Sequence, residues 1–106
     1  MLSKSLRDPD LLRDKCFVAG DWIAAASGKT IAVVNPATGA TIAHVPSLSA
    51  EETRRAIEAA RDAQGPWAAM AAKERAAILR KWFELIMANQ DDLALIMTSE
   101  QGKPLA

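Results

Sequence analysis

Thr30-Ile31-Ala32-Val33-Val34-Asn35-Pro36-Ala37-Thr38-Gly39-Ala40-Thr41-Ile42-Ala43-His44-Val45 sets two β-prone runs around an explicit turn. Asn35 can bond its own backbone ahead, Pro36 pre-sets the first turn dihedral, and Gly39 accepts a positive φ. The pattern predicts a hairpin, with a strand over 30–34 returning over 41–45. Pro46 is expected to end the return strand, because it has no N–H to give a ladder.

Upstream, Cys16-Phe17-Val18-Ala19 and Trp22-Ile23-Ala24 flank Gly20-Asp21. Two such residues between short β-prone runs predict another tight hairpin, with 25–29 as its loose exit. Before it, Asp8-Pro9-Asp10 has the form of an N-cap, a first-position proline and an acidic first turn, predicting a short helix to about Lys15. Residues 1–7 carry no pattern.

Downstream the period becomes helical. Ser49-Ala50-Glu51-Glu52 has the spacing of a capping box and predicts a helix to about Gln64, broken by Gly65-Pro66-Trp67. Its stripe of Thr53, Ala56, Ile57 and Ala60 is narrow and small, which permits close packing. A stronger helix is expected over 72–88, where Leu79, Trp82, Phe83 and Ile86 recur at i, i+3, i+4 and i+7. Glu74 stands where a capping-box acid belongs, but Ala71 lacks the hydroxyl, an omission worth about 0.5–2 kcal/mol. A third helix is expected from Asn89, with Asp91 and Asp92 in its first turn and Leu93, Ile96 and Met97 on its inner face. Gly102, Lys103 and Pro104 close it. The chain therefore divides into an arm over 1–15, a hairpin region over 16–46 and a helical part over 47–106, a mixed α/β order. Leu105 and Ala106 open an element that does not follow, and a piece of a longer protein is expected.

Half of the 106 residues are apolar, but much of that half is alanine, which buries little area. A core is expected from Phe17, Trp22, Ile23, Ile31 and Val33 on the hairpins. Ile57, Leu79, Trp82, Phe83, Ile86, Leu93 and Ile96 would complete it on the helices. So thin a set predicts poor independent stability, since ordering costs roughly 1.5 kcal/mol per residue. The formal net charge is zero and the two signs are interleaved, which disfavours nucleic acid and anionic membranes as partners. No stretch approaches the roughly 18 apolar residues of a membrane span. The single cysteine excludes an internal disulfide, and the acidic start does not read as a signal peptide. A cytoplasmic location is expected.

Few side chains offer chemistry. Cys16 has only Lys15 beside it, against the cationic setting and positioned base that a nucleophilic thiol requires, and reads as a structural thiol. His44, the only histidine, has no companion ligand and reads as a surface strand residue. The five glycines are scattered, so no phosphate-cradling loop exists. The basic residues of the helices share them with acids, as in the i,i+4 pairs Glu51–Arg55 and Arg54–Glu58, and read as a solvated face. Trp67 and Trp82 read as packing anchors.

Phe17-Val18-Ala19-Gly20-Asp21-Trp22, Val34-Asn35-Pro36-Ala37-Thr38-Gly39, Lys73-Glu74-Arg75 and Glu100-Gln101-Gly102-Lys103-Pro104 occur in that order. Together they resemble the opening quarter of the aldehyde dehydrogenase superfamily. Leu79-Arg80-Lys81-Trp82-Phe83, with Asn89-Gln90-Asp91-Asp92-Leu93-Ala94 and Met97-Thr98 after it, is most similar to bacterial succinate-semialdehyde dehydrogenases. The resemblance covers nearly all of 16–106.

The resemblance implies the N-terminal part of an aldehyde dehydrogenase-like fold, whose hairpins and helices pack on a parallel-sheet cofactor domain. It also implies NAD- or NADP-dependent oxidation of succinate semialdehyde, or a similar semialdehyde, to the acid. In that chemistry a cysteine thiolate attacks the aldehyde, the hemithioacetal gives hydride to the nicotinamide, and a glutamate-activated water releases the acid. The family's GQxC-type, ELGGK-type and GxTxxG-type motifs that carry these roles do not occur here. No catalytic or cofactor-binding residue is therefore assigned to this chain, and Cys16 matches none of them. The remaining implications are a scaffolding role against the rest of the same polypeptide and a homo-oligomeric parent enzyme. Some members also hold a monovalent cation between carbonyls before the Asn-Pro turn and an acid before the GKP motif. Those positions are Val33, Val34 and Glu100, and hard oxygen ligands suit such an ion. The competing reading is a free-standing helical interaction module presenting Leu93, Ile96 and Met97.

Overall fold

The computed structural model describes residues 2–105. Two short 3-10 helices, Leu2–Ser5 and Pro9–Leu11, are followed by strands β1 (Cys16–Val18), β2 (Asp21–Ile23), β3 (Thr30–Val34) and β4 (Thr41–Pro46). Helices α1 (Ala50–Ala69), α2 (Ala72–Ala88) and α3 (Gln90–Gln101) complete the order. Among the described residues, β1 pairs only with β2 and β3 only with β4, each antiparallel. The arm departs from expectation: Asp8 caps as predicted, its carboxylate accepting the Asp10 N–H at 3.1 Å, but the helix is one 3-10 turn ending at Leu11. The patternless residues before it form a second such turn.

The first hairpin turns one residue earlier than the sequence suggested. Val18 pairs with Asp21, so the loop is Ala19-Gly20 and Asp21 belongs to β2. Both loop residues have positive φ, 50° and 87°. That geometry matches the twist of the flanking strands, and Gly20 supplies the second position without strain.

The second hairpin follows its turn chemistry. Asn35 Oδ1 accepts the Ala37 N–H at 2.9 Å, and the Gly39 N–H reaches the Asn35 carbonyl at 2.8 Å with φ at 75°. The ladder ends at Pro46, as its missing N–H predicts, and carries an irregularity near the turn. Pro46 remains in register opposite Thr30, at the ladder terminus where its missing N–H breaks no interior pair. Near the turn, Val33 faces Ala43 and Val34 faces Thr41, leaving Ile42 as the extra residue of a bulge.

The capping box of α1 is complete: the Glu52 N–H reaches Ser49 Oγ and the Ser49 N–H reaches Glu52 Oε1, both at 3.1 Å. The helix then runs through Gly65-Pro66-Trp67, which was expected to break it, and ends at Ala69. Pro66 removes one donor to the Asp62 carbonyl so near the C-terminus that a final turn still forms. α2 matches its expected bounds, and Ala71 retains half a capping box, its N–H donating to Glu74 Oε2 at 3.3 Å. α3 closes as read, with Gly102 at φ 80° donating its N–H to the Thr98 carbonyl at 2.9 Å.

The expected core is not enclosed. Among the described residues, Leu6 and Ala25, each 7 % exposed, and Pro46 are the buried apolar ones, whereas Phe17 and Trp82 stand 62 % and 63 % exposed. Trp22, Ile31, Ile57, Leu79, Phe83 and Ile86 are likewise exposed; Ile23, Val33, Leu93 and Ile96 are half-buried. The apolar faces have the predicted composition, but no second layer lies over them. A compact chain of this mass exposes about 5,800 Å², whereas this one exposes 8048 Å². Its radius of gyration is 16.6 Å, against about 13 Å for a compact domain of this length. Phe17, Val18 and Ala19 line a shallow cavity with Ala56, Ala59, Ala60 and Ala63 of α1, whose small side chains leave it unfilled.

Candidate functional site

The turn of the second hairpin meets the end of α3. An ideal Cβ built on Gly102 would stand 3.2 Å from Pro36 Cγ, so the left-handed C-cap of the helix rests on the turn proline. Thr98 fixes the chain beyond, its hydroxyl donating to the Lys103 carbonyl at 2.7 Å. Asn35, Thr41 and Ile42 from the hairpin and Ser99 from α3 line a crevice beside this junction, with Leu2 and Ser5 of the arm along its edge.

The three residues expected to hold a cation sit on these two elements. Val33 is half-buried in β3, and Val34 is the last residue of that strand, two before Pro36. Glu100 lies in the last turn of α3, two before Gly102, exposed to solvent. The Pro36–Gly102 contact brings their elements together. Ser99 lines the crevice against the hairpin, while Glu100 lines the groove between α2 and α3 with Trp82, Ile96 and Gln101.

Cys16 opens β1 half-buried, opposite Ile23, and His44 is exposed opposite Ala32. No group of three or more His, Cys, Asp or Glu side chains gathers as a metal centre among the described residues. The helical charges form exposed local pairs: Arg54 and Arg55 with Glu51, Arg61 with Asp62, and Arg80 with Glu84. Arg54 turns back to Glu51 instead of pairing forward with Glu58 as the spacing suggested. Trp22 packs against Phe17 with ring centroids 5.1 Å apart, and the Arg13 guanidinium lies 4.6 Å above the Trp22 ring. No helix among the described residues is long and apolar enough to cross a membrane.

Two carboxylates have tertiary roles that the sequence did not reveal. Glu52 Oε2 accepts the Ala26 N–H at 3.1 Å, tying the exit of the first hairpin to the start of α1. The Ser49 backbone N–H, then that of Ala26, hold its carboxyl below the usual range, helped by the Ser49 hydroxyl. Asp92 accepts the Arg7 and Asp8 N–H groups at 3.0 and 2.8 Å, and these, in that order, lower its pKa. The capping spacing marked Glu52 as special; Asp92 carried only the signal of an acid in a first turn.

The profile described as "Aldehyde dehydrogenase family" matches residues 22–106. This chain belongs to the aldehyde dehydrogenase family. It is 56% identical to glutarate-semialdehyde dehydrogenase of Pseudomonas putida, over 95% of its own residues and 21% of that protein. It is 52% identical to the NADP(+) succinate-semialdehyde dehydrogenase of Escherichia coli, with the same coverage of each chain. A crystal structure of an aldehyde dehydrogenase from Brucella melitensis biovar abortus superposes with a TM-score of 0.90 at 61% identity, again covering 95% of this chain and 21% of that one. The fold is thus an α/β part of the aldehyde dehydrogenase fold, and the chain spans about a fifth of the length of the curated relatives it matches.

Proposed function

We propose that this chain is the N-terminal scaffold of an NAD- or NADP-dependent enzyme oxidising succinate semialdehyde, or a similar semialdehyde, to its acid. The observation that carries this is the identity above half to relatives whose names specify semialdehydes bearing a distal carboxylate. The glycines of the described residues stand singly in turns and in α1, and none begins a glycine-rich loop leading into a helix. They do not fit a dinucleotide phosphate cradle, and the part this reading gives the segment is scaffolding. Its uncovered apolar faces would pack against the rest of the same polypeptide, in a homo-oligomeric cytoplasmic enzyme.

The test is an assay of the full-length protein with NAD and NADP against succinate and glutarate semialdehydes. Reduction of nicotinamide with succinate semialdehyde as the better substrate is expected. Absence of turnover on both overturns the reading, and a clear preference for the longer aldehyde overturns the succinate assignment. Residues 1–106 alone should reduce no nicotinamide.

The same reading gives Val33 and Val34 carbonyls and the Glu100 carboxylate a monovalent cation. The support is that their elements meet at Pro36 and Gly102. Potassium should raise the thermal midpoint of the full-length enzyme relative to a large organic cation, and Glu100→Gln should remove that difference. An equal response in both proteins would reject the site.

A further inference from the structure

Asp92 is only 6 % exposed, although it sits in the first turn of a helix. Its two oxygens divide between successive backbone donors, Oδ1 taking the Arg7 N–H and Oδ2 the Asp8 N–H. Hydrogen bonds to an ionised acceptor are about twice as strong as neutral ones. Among the described residues, no other hydrogen bond leaves residues 2–12: those of Asp10, Leu11 and Leu12 go to Asp8 and Pro9 within the arm. The charged groups around the carboxylate are Arg7 and Asp8 of the arm and Asp91 of α3, which share one small cavity with it.

The arm does more than touch this point. Leu2 and Ser5 line the same crevice as Asn35, Thr41 and Ile42 of the hairpin and Ser99 of α3. Ser99 lies about 10 Å along the helix axis from Asp92, at 1.5 Å per residue. Residues 2–8 therefore run beside α3 from its first turn towards its last and lie along the gap between helix and hairpin. Leu6, 7 % exposed, is the one buried apolar side chain among them.

We propose that residues 2–8 are a strap over the crevice between α3 and the β3–β4 hairpin, latched by the Asp92 carboxylate and able to lift as a unit while both neighbours stay folded. A segment held by one polar anchor and one buried leucine belongs to the low end of the range of local opening free energies. Lifting it opens one side of the crevice and gives solutes freer access to the half-buried Asn35 and Ser99.

The test uses the full-length protein and does not require activity. In Asp92→Asn, amides of residues 2–8 should exchange roughly tenfold faster, the loss expected for weakening two charge-assisted bonds, while those of α3 and β3–β4 keep their rates. A thiol introduced as Ser99→Cys should be alkylated faster in the Asp92→Asn background, with Cys16 as the internal reference. Deleting residues 2–8 should produce the same fast alkylation. Unchanged exchange of the arm in Asp92→Asn overturns the latch. Loosening of α3 together with the arm, or failure of the variant to fold, overturns it equally, because Asp92 would then hold the helix itself. Slow alkylation in the deletion variant overturns the strap as the crevice's cover.

Discussion

Gly102 closes α3 directly against the ring of Pro36, so one residue is both the left-handed C-cap of a helix and the contact surface for a turn. Gly102→Ala should be destabilising on two counts. A non-glycine residue at this φ costs about 1–2 kcal/mol, and the new methyl would crowd Pro36 Cγ at 3.2 Å, so that the proline ring has to give slightly. The urea midpoint should fall accordingly; a midpoint within error of the parent would show that neither effect operates.

The two helix starts provide a matched pair. Ser49 and Ala71 have similar extended backbones, with φ and ψ of −69° and 166° against −58° and 143°. Each precedes a glutamate three residues on. Ala71→Ser should therefore complete the α2 capping box and stabilise by about 0.5–1 kcal/mol, while Ser49→Ala should lose about 0.5–2 kcal/mol. Thermal melts of both variants give the comparison, and a stabilising Ser49→Ala would contradict the capping account.

Pro66 leaves the Asp62 carbonyl without its helical donor near the end of α1. Pro66→Ala restores that bond and should stabilise the protein by about 1–3 kcal/mol, less the entropy the unfolded chain regains. The check is the thermal midpoint together with helicity by circular dichroism. A drop in both would mean that the ring itself packs against something the helix needs.

Acid should loosen the chain at two defined points. The folded-state pKa values of Glu52 and Asp92 lie below their ordinary values of 4.5 and 3.8, so the native state binds fewer protons there than the unfolded state. Their contribution is complete above those ordinary values and disappears as the pH falls through the lower folded ones. Glu52→Gln and Asp92→Asn should each flatten the fall of the urea midpoint between neutrality and pH 3. A slope identical to the parent's would remove the carboxylates from the explanation.

The local chemistry of the chain was readable wherever a structure depends on neighbouring residues. The Asn35-Pro36 turn, the Ser49–Glu52 box, the bounds of α2 and the Gly102 cap all follow from side chains bonding to backbone a few positions away. The Ala19-Gly20 turn was missed by one residue because Asp21 is as turn-prone as it is able to pair. Pro66 was overvalued as a breaker, since its effect weakens within a turn of a helix end. The composition of the apolar faces and the thinness of the core were legible; which of those residues stand uncovered was not, because burial depends on a covering layer that residues 2–105 do not supply. For the candidate cation site, sequence placed Val34 and Glu100 two residues before Pro36 and Gly102. Only the fold shows that the two elements meet. Asp92 was invisible in its true role, since nothing near it in sequence announces that residues 7 and 8 will lie over it.

The surplus residue at Ile42 reaches further than the ladder it interrupts. Removing it would leave the loop from Asn35 to Ala40 with every atom in place, yet would erase the added twist that steers that loop. The proline would then swing aside from the glycine it now meets, and a helix terminus would lose its seat through a deletion made in a strand.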